Sequence, residues 1–176
     1  MLPSILILTY VEPRLSKSKR IYFAQKNILV IICIDLRLTD NLMGFLNFDN
    51  LQNRYDHFAL AGTSLLCCPD EKEHFAVDEE SKENYFDKYK HWKATLIDHI
   101  KIAQALHEIK DVYIVEHQNC GAYSEFLKKD FQVGNEEDLH RHFASHLADE
   151  IYSLFHLNTH CFFIDLRGNV KLIYNI

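Results

Sequence analysis

DVYIVEHQNCGAY, residues 111–123, decides how this chain folds. Val112–Val115 is a short apolar run with the look of a buried strand, and it ends at two groups with chemistry, His117 and Cys120, with Gly121 directly behind them. Upstream, from His91, Leu96, Ile97, Ile100, Ala103 and Ile109 share one broad helical face, while Lys93, Asp98, Lys101, Gln104 and Glu108 take the other. Lys110 and Asp111 break that helix, so it reads as a crossover delivering the chain to a parallel strand. The partner strand lies in ILVIICI, residues 28–34, almost wholly β-branched or leucine and therefore suited to a central strand covered on both faces. These units predict an α/β fold, a central, mostly parallel β-sheet flanked by helices.

Farther along, Glu136–Phe155 reads as a helix on Leu139, Phe143, Leu147, Ile151 and Leu154, spaced by three and four. CFFIDL (161–166), the turn RGN and VKLIY (170–174) then predict a strand and a terminal hairpin, with Gly168 supplying the permissive turn. Residues 63–90, acidic and lysine-rich, read as an exposed insertion with one short helix. No internal repeat is visible. Residues 28–176 form one expected domain, and residues 1–27 an N-terminal arm or tail.

The 176 residues are 48% hydrophobic and 25% charged with a formal charge of −6, an ordinary globular mixture. Apart from SKSKR at 16–20 there is no basic stripe, which argues against nucleic-acid and membrane partners and leaves small molecules and other subunits. MLPSILILTYV lacks a basic leading region and reads poorly as a signal peptide, and there is no run of eighteen apolar residues, so a soluble, cytoplasmic protein is expected. Five widely spread cysteines, an odd number, point away from a disulfide framework and toward metal or catalytic use.

In Cys33-Ile34-Asp35-Leu36-Arg37 the pleat sends Cys33, Asp35 and Arg37 to one side. Ligand sites of open parallel sheets lie beyond the carboxyl ends of the strands, so Cys33 can meet His117 and Cys120 there. A Cys2His set with its fourth position open is a catalytic rather than a structural zinc pattern. Taken singly, a buried cysteine is most often a small hydrophobe and an Asp-x-Arg pair a surface ion pair.

The conjunction of Cys-x-Asp-x-Arg after one buried strand and His-x-x-Cys-Gly after another resembles the β-class carbonic anhydrases. The resemblance extends to Ala61-Gly62 on an intervening strand and to the closing FFIDLRGNV, and spans roughly residues 28–174. It implies zinc held by Cys33, His117 and Cys120, with Asp35 and Arg37 as the catalytic dyad that orients a zinc-activated hydroxide toward CO2, giving bicarbonate. It also implies that Gly62 and Gly121 line the substrate pocket, that Asp35 can alternatively swing onto the metal, and that the chain forms a homodimer or higher homo-oligomer. Ala59-Leu60-Ala61-Gly62-Thr63 departs from the family's usual Arg-Asn-Ala-Gly-Asn, and Leu36 stands where a small residue is usual.

Three readings follow: a zinc lyase for CO2, or a relative hydrolysing COS or CS2; a zinc-binding regulatory or assembly protein; and metal-free thiol chemistry. Retention of Asp35 and Arg37 favours catalysis. Among the remaining features, His140, His142 and His146 in DLHRHFASHL offer a proton shuttle or a second metal site, though His142 and His146, at i and i+4 on an acidic helix, are more simply read as solvated. Tyr55, His57 and Tyr123 are further candidates for a proton relay, Cys67 and Cys68 read as structural, and Trp92 as core.

Overall fold

The computed structural model describes residues 27–131 and 133–176, so the expected arm at 1–27 lies, but for Asn27, outside the described residues. Five strands form one sheet in the order β2-β1-β3-β4-β5, with β1 Ile28–Ile32, β2 Tyr55–Ala59, β3 Asp111–His117, β4 Asn158–Ile164 and β5 Val170–Asn175. The first four run parallel and β5 returns antiparallel, the mixed, mostly parallel sheet that the apolar runs predict.

Alternation along the strands makes two cores. Ile28, Val30 and Ile32 with Tyr113, Val115 and Phe162 pack under α1, Thr39–Phe48, whose Leu42, Phe45 and Leu46 are buried. Leu29, Ile31, Val112, Ile114 and Cys161 face the other way. They meet Leu96, Ile100 and Ala103 of α3, His91–His107, and Ala144, Leu147 and Ile151 of α5, Glu136–Phe155. A reciprocal capping box between Asn135 and Asp138 starts α5. Gly168, at φ +83°, turns β4 into β5 where any Cβ would stand 2.8 Å from Asn41 Oδ1. No described helix is long and apolar enough to cross a membrane.

Two expectations need correction. Residues 63–90 are not an exposed excursion: Leu65, Leu66, Cys67 and Phe75 are 0% exposed and Phe86 is buried, so charged side chains outside cover an apolar lining. The segment carries two 3-10 turns, Leu65–Cys67 and Pro69–His74, and the short helix α2, Tyr85–Tyr89. It is stitched to the end of α4, Gly121–Phe126, by Ala76 N–H donating to the Phe126 carbonyl at 2.7 Å and Lys128 N–H to that of His74 at 2.9 Å. Ala61-Gly62 lies beyond the end of β2 rather than on it.

Candidate metal centre

β1 stops at Ile32, and Cys33, the next residue, is buried at the carboxyl edge of the sheet. On the neighbouring strand, paired with β1 in parallel register from Ile32 opposite Val115, β3 ends with His117. A turn through Asn119, at φ +55°, then brings Cys120 back as the residue that starts α4. Cys33 Sγ, a His117 ring nitrogen and Cys120 Sγ thereby come within 4.8 Å of one another, all three residues buried.

His117 Nδ1 lies 3.0 Å from the Gln118 carbonyl. A carbonyl only accepts, so Nδ1 carries the proton and Nε2 presents its lone pair. Nε2 is buried and has no hydrogen-bond partner. An orphaned buried acceptor of this kind is costly unless something binds it.

The sulfurs are 3.9 Å apart, and all five cysteines are free. Cys33 is held down to about 4 by the hydrogen bond with Cys120, against the effect of burial, with the Gly62 N–H, 3.4 Å from its sulfur, adding to the pull. The same bond pushes Cys120 up, the two sulfurs sharing a proton between them. Two sulfurs on one tetrahedral zinc, each at about 2.3 Å, stand about 3.8 Å apart. The donor set therefore fits a zinc-type cation, which would displace the shared proton and take the free Nε2.

Gly62 has φ +76°, and a Cβ there would stand 3.1 Å from both Ala122 and Leu65 Cβ, so the close approach of its N–H to Cys33 requires glycine. Gly121 is exposed, enters α4 without a positive φ, and a Cβ there would meet nothing within 4 Å.

Asp35 opens a 3-10 turn, Leu36–Leu38, its Oδ1 accepting from the Arg37 N–H at 2.9 Å. The Arg37 guanidinium grips the same carboxylate through Nε at 2.9 Å and Nη2 at 2.6 Å, and Nη2 also donates to the Asn119 carbonyl at 2.9 Å. That hydrogen-bonded fork holds Asp35 down to about 2 despite partial desolvation, keeping it an acceptor-only carboxylate at any working pH. Ile34 and Leu36, flanking Asp35, are 66% and 85% exposed.

One polar constellation escaped the reading of the sequence. Glu116, beside His117, points to the opposite face of β3 and is 0% exposed. Its carboxyl accepts from the Ser64 N–H at 3.1 Å and the Ser64 hydroxyl, and lies 2.7 Å from His140 Nδ1. His140 is thus buried, its ring centroid 3.9 Å from that of Tyr123. Burial pushes the Tyr123 hydroxyl well up, and it lies 3.4 Å from that of Ser64. Tyr55 spends its hydroxyl on Met43, and His57 sits opposite Val30, short of the strand end where Cys33 and His117 lie. Cys67 is pushed up to about 12 by burial, an inert thiol.

No family model matches the chain. An uncharacterized protein of Rickettsia conorii is 30% identical over 151 residues, covering 84% of this chain and 72% of that protein. An uncharacterized protein of Rickettsia bellii is 27% identical over 169 residues, 93% of this chain and 92% of that one. Among solved structures, the β-carbonic anhydrase CafD of Aspergillus fumigatus aligns with a TM-score of 0.51 at 14% identity, covering 87% of this chain and 94% of that chain, a likeness of fold.

Proposed function

We propose that this chain, which belongs to one family with the uncharacterized Rickettsia conorii protein and carries the fold of the β-class carbonic anhydrases, is a zinc lyase that reversibly hydrates CO2 to bicarbonate. The observation that carries the reading is the convergence of Cys33, Cys120 and the unpartnered Nε2 of His117 at a sheet edge that also bears the Arg37-locked carboxylate of Asp35.

Cys33, His117 and Cys120 are the ligands in this reading. When bound, zinc supplies a Lewis acid that makes hydroxide available near neutral pH. Asp35, ionised and unable to donate, accepts a hydrogen bond from the nucleophile's O–H and so turns the oxygen lone pair toward the carbon of CO2. Arg37 keeps Asp35 in that state and, through the Asn119 carbonyl, fixes it relative to the turn that carries Cys120. The Gly62 N–H steadies the Cys33 sulfur. Gly62 and Gly121 leave the pocket wall free of side chains. The reaction adds the hydroxide oxygen to carbon and releases bicarbonate, and regenerating the nucleophile passes one proton to solvent.

The apolar side chains of Ile34 and Leu36, so exposed beside Asp35, support a second copy packing over this edge, a homodimer or larger homo-oligomer. They equally suit a less polar cumulated substrate, COS or CS2, which is the second reading. The five unbonded thiols suit a reducing compartment such as the cytoplasm.

The test joins zinc analysis of the purified protein with stopped-flow assays on CO2, COS and CS2. The expected result is a thiolate-bound zinc lost in Cys33→Ser, and CO2 hydration that falls at least about 100-fold in Asp35→Ala with zinc retained. Wild type and Asp35→Ala equally inert on all three substrates with zinc in place would refute the catalytic reading.

A further inference from the structure

HFASH, residues 142–146, sets two imidazoles one helical turn apart on α5, and the segment before α2 folds Glu71 down beside them. Glu71 Oε1 is 2.9 Å from His142 Nε2 and 3.8 Å from His146 Nδ1. The three donor atoms lie within 4.8 Å of one another, and the two rings are 4.5 Å apart between centroids. This is no loose surface gathering: the Glu71 side chain is 13% exposed and His142 27%, with His146 at 45% forming the open side.

A second observation points to a ligand. His142 Nε2 is buried and makes no hydrogen bond, although Glu71 Oε1 is within ion-pair distance, so the two atoms crowd a common point without being aimed at each other. His74 Nε2 approaches the other carboxylate oxygen of Glu71, at 3.5 Å, and leaves Oε1 to the pair on α5. The open side adjoins a cavity of about 420 Å³ lined by His146 with Asp70, Asp149 and Glu150, a negative rim relieved by Lys93, itself 2.7 Å from Glu150.

We propose that Glu71, His142 and His146 form a second metal site, distinct from the Cys33–His117–Cys120 group and sharing no ligand with it. Two neutral imidazoles and one carboxylate are borderline donors that suit zinc and its neighbours, whereas calcium and magnesium ask for six or more oxygens or an octahedral, largely hydrated shell. The cation takes the lone pair of His142 Nε2, that of His146 Nδ1 and Oε1 of Glu71, with its fourth position toward the cavity. Because Glu71 belongs to the 65–89 segment and both histidines to α5, the ion ties the two together beside Phe75 and Phe143, whose rings already meet at 6.3 Å.

The experiment counts metal in full-length protein, loaded with Zn2+ and dialysed, in wild type, Glu71→Gln and His146→Gln, and repeats the loading with Co2+. Thiolate ligands give intense charge-transfer absorption with cobalt and the imidazole–carboxylate set does not, so the two sites are told apart. The expected result is two zinc ions per chain in wild type and one in each variant, with the thiolate absorption unchanged. A wild type holding a single zinc accounted for by thiolates, or variants keeping the wild-type count, overturns the proposal. A single ion lost in both variants, with no thiolate absorption in wild type, upholds it and refutes the Cys2His centre instead. Both substitutions keep side-chain volume at partly exposed positions, and far-UV circular dichroism verifies the fold.

Discussion

Truncating His140 to alanine tests the polar constellation beneath the ligand strand. His140 is 1% exposed, its Nδ1 2.7 Å from Glu116 Oε2, its ring packed on Tyr123 at 3.9 Å and Phe163 at 5.3 Å between centroids. The Ser64 bonds all go to Oε1, so the truncation strips Oε2 of its partner, at about 1–3 kcal/mol for a buried unsatisfied acceptor. The vacated ring adds about 2 kcal/mol, the low end for large-to-alanine changes in a core. The sum, about 3–5 kcal/mol, is a large share of the 5–15 kcal/mol typical of a whole domain and corresponds to a fall in Tm of roughly 6–20 °C. Urea denaturation followed by circular dichroism reads it as a shifted midpoint at constant m. His140→Gln, which keeps a donor, should recover about 1 kcal/mol or more of the loss. In a Glu116→Gln background the effect of His140→Ala should shrink by about 1–3 kcal/mol, the coupling typical of contacting polar residues. A loss under about 1 kcal/mol, or strict additivity with Glu116→Gln, would refute the idea that the pair is held together.

Two other predictions concern the open edge. Asp35 is held at about 2 by Arg37, below its ordinary 3.8, so it favours the folded state above the ordinary value and that contribution is lost as pH falls through about 2. Arg37→Ala should therefore raise the Asp35 titration toward the ordinary value and abolish its share of the acid-side loss of stability, leaving the variant less stable than wild type above the ordinary value and converging with it as pH falls toward about 2. Carboxyl NMR titration checks it, and an Asp35 in Arg37→Ala still titrating near 2 would show another group to be responsible. Leu36→Glu should convert an oligomer into monomers in light scattering after gel filtration, since Leu36 is 85% exposed and a carboxylate would sit in the contact; a wild type monomeric at all concentrations contradicts the oligomer.

Legibility followed the range of the interactions. β1, β3 and α5 stand out in the sequence because their periodicity is local: Glu136–Phe155 could be bounded from spacing alone. α1 did not, because TDNLMGFLNF mixes asparagine and glycine into a short element whose helicity comes from packing Phe45 and Leu46 on the sheet. Residues 63–90 misled because charge counts average over a segment, whereas Leu65, Phe75 and Phe86 act singly, each going inward. Cys33, His117 and Cys120 were legible as a set since strand ends of a parallel sheet converge on one edge. Glu116 with His140, and Glu71 with His142, depend on which helix lies over which strand, and spacing along the chain carries no such information.

Cys33 follows Ile32, which pairs with Val115, and His117 stands two residues beyond Val115. The separation of Cys33 from His117 is thus set by the spacing of two adjacent hydrogen-bonded strands, about 4.8 Å, and not by the long stretch of chain that runs between them. That stretch bears on the sulfurs at one point only among the contacts described, the Gly62 N–H that meets Cys33. A change in the length of the connecting chain is thus felt at Cys33 and His117 only if it breaks the pairing of β1 with β3 or withdraws Gly62.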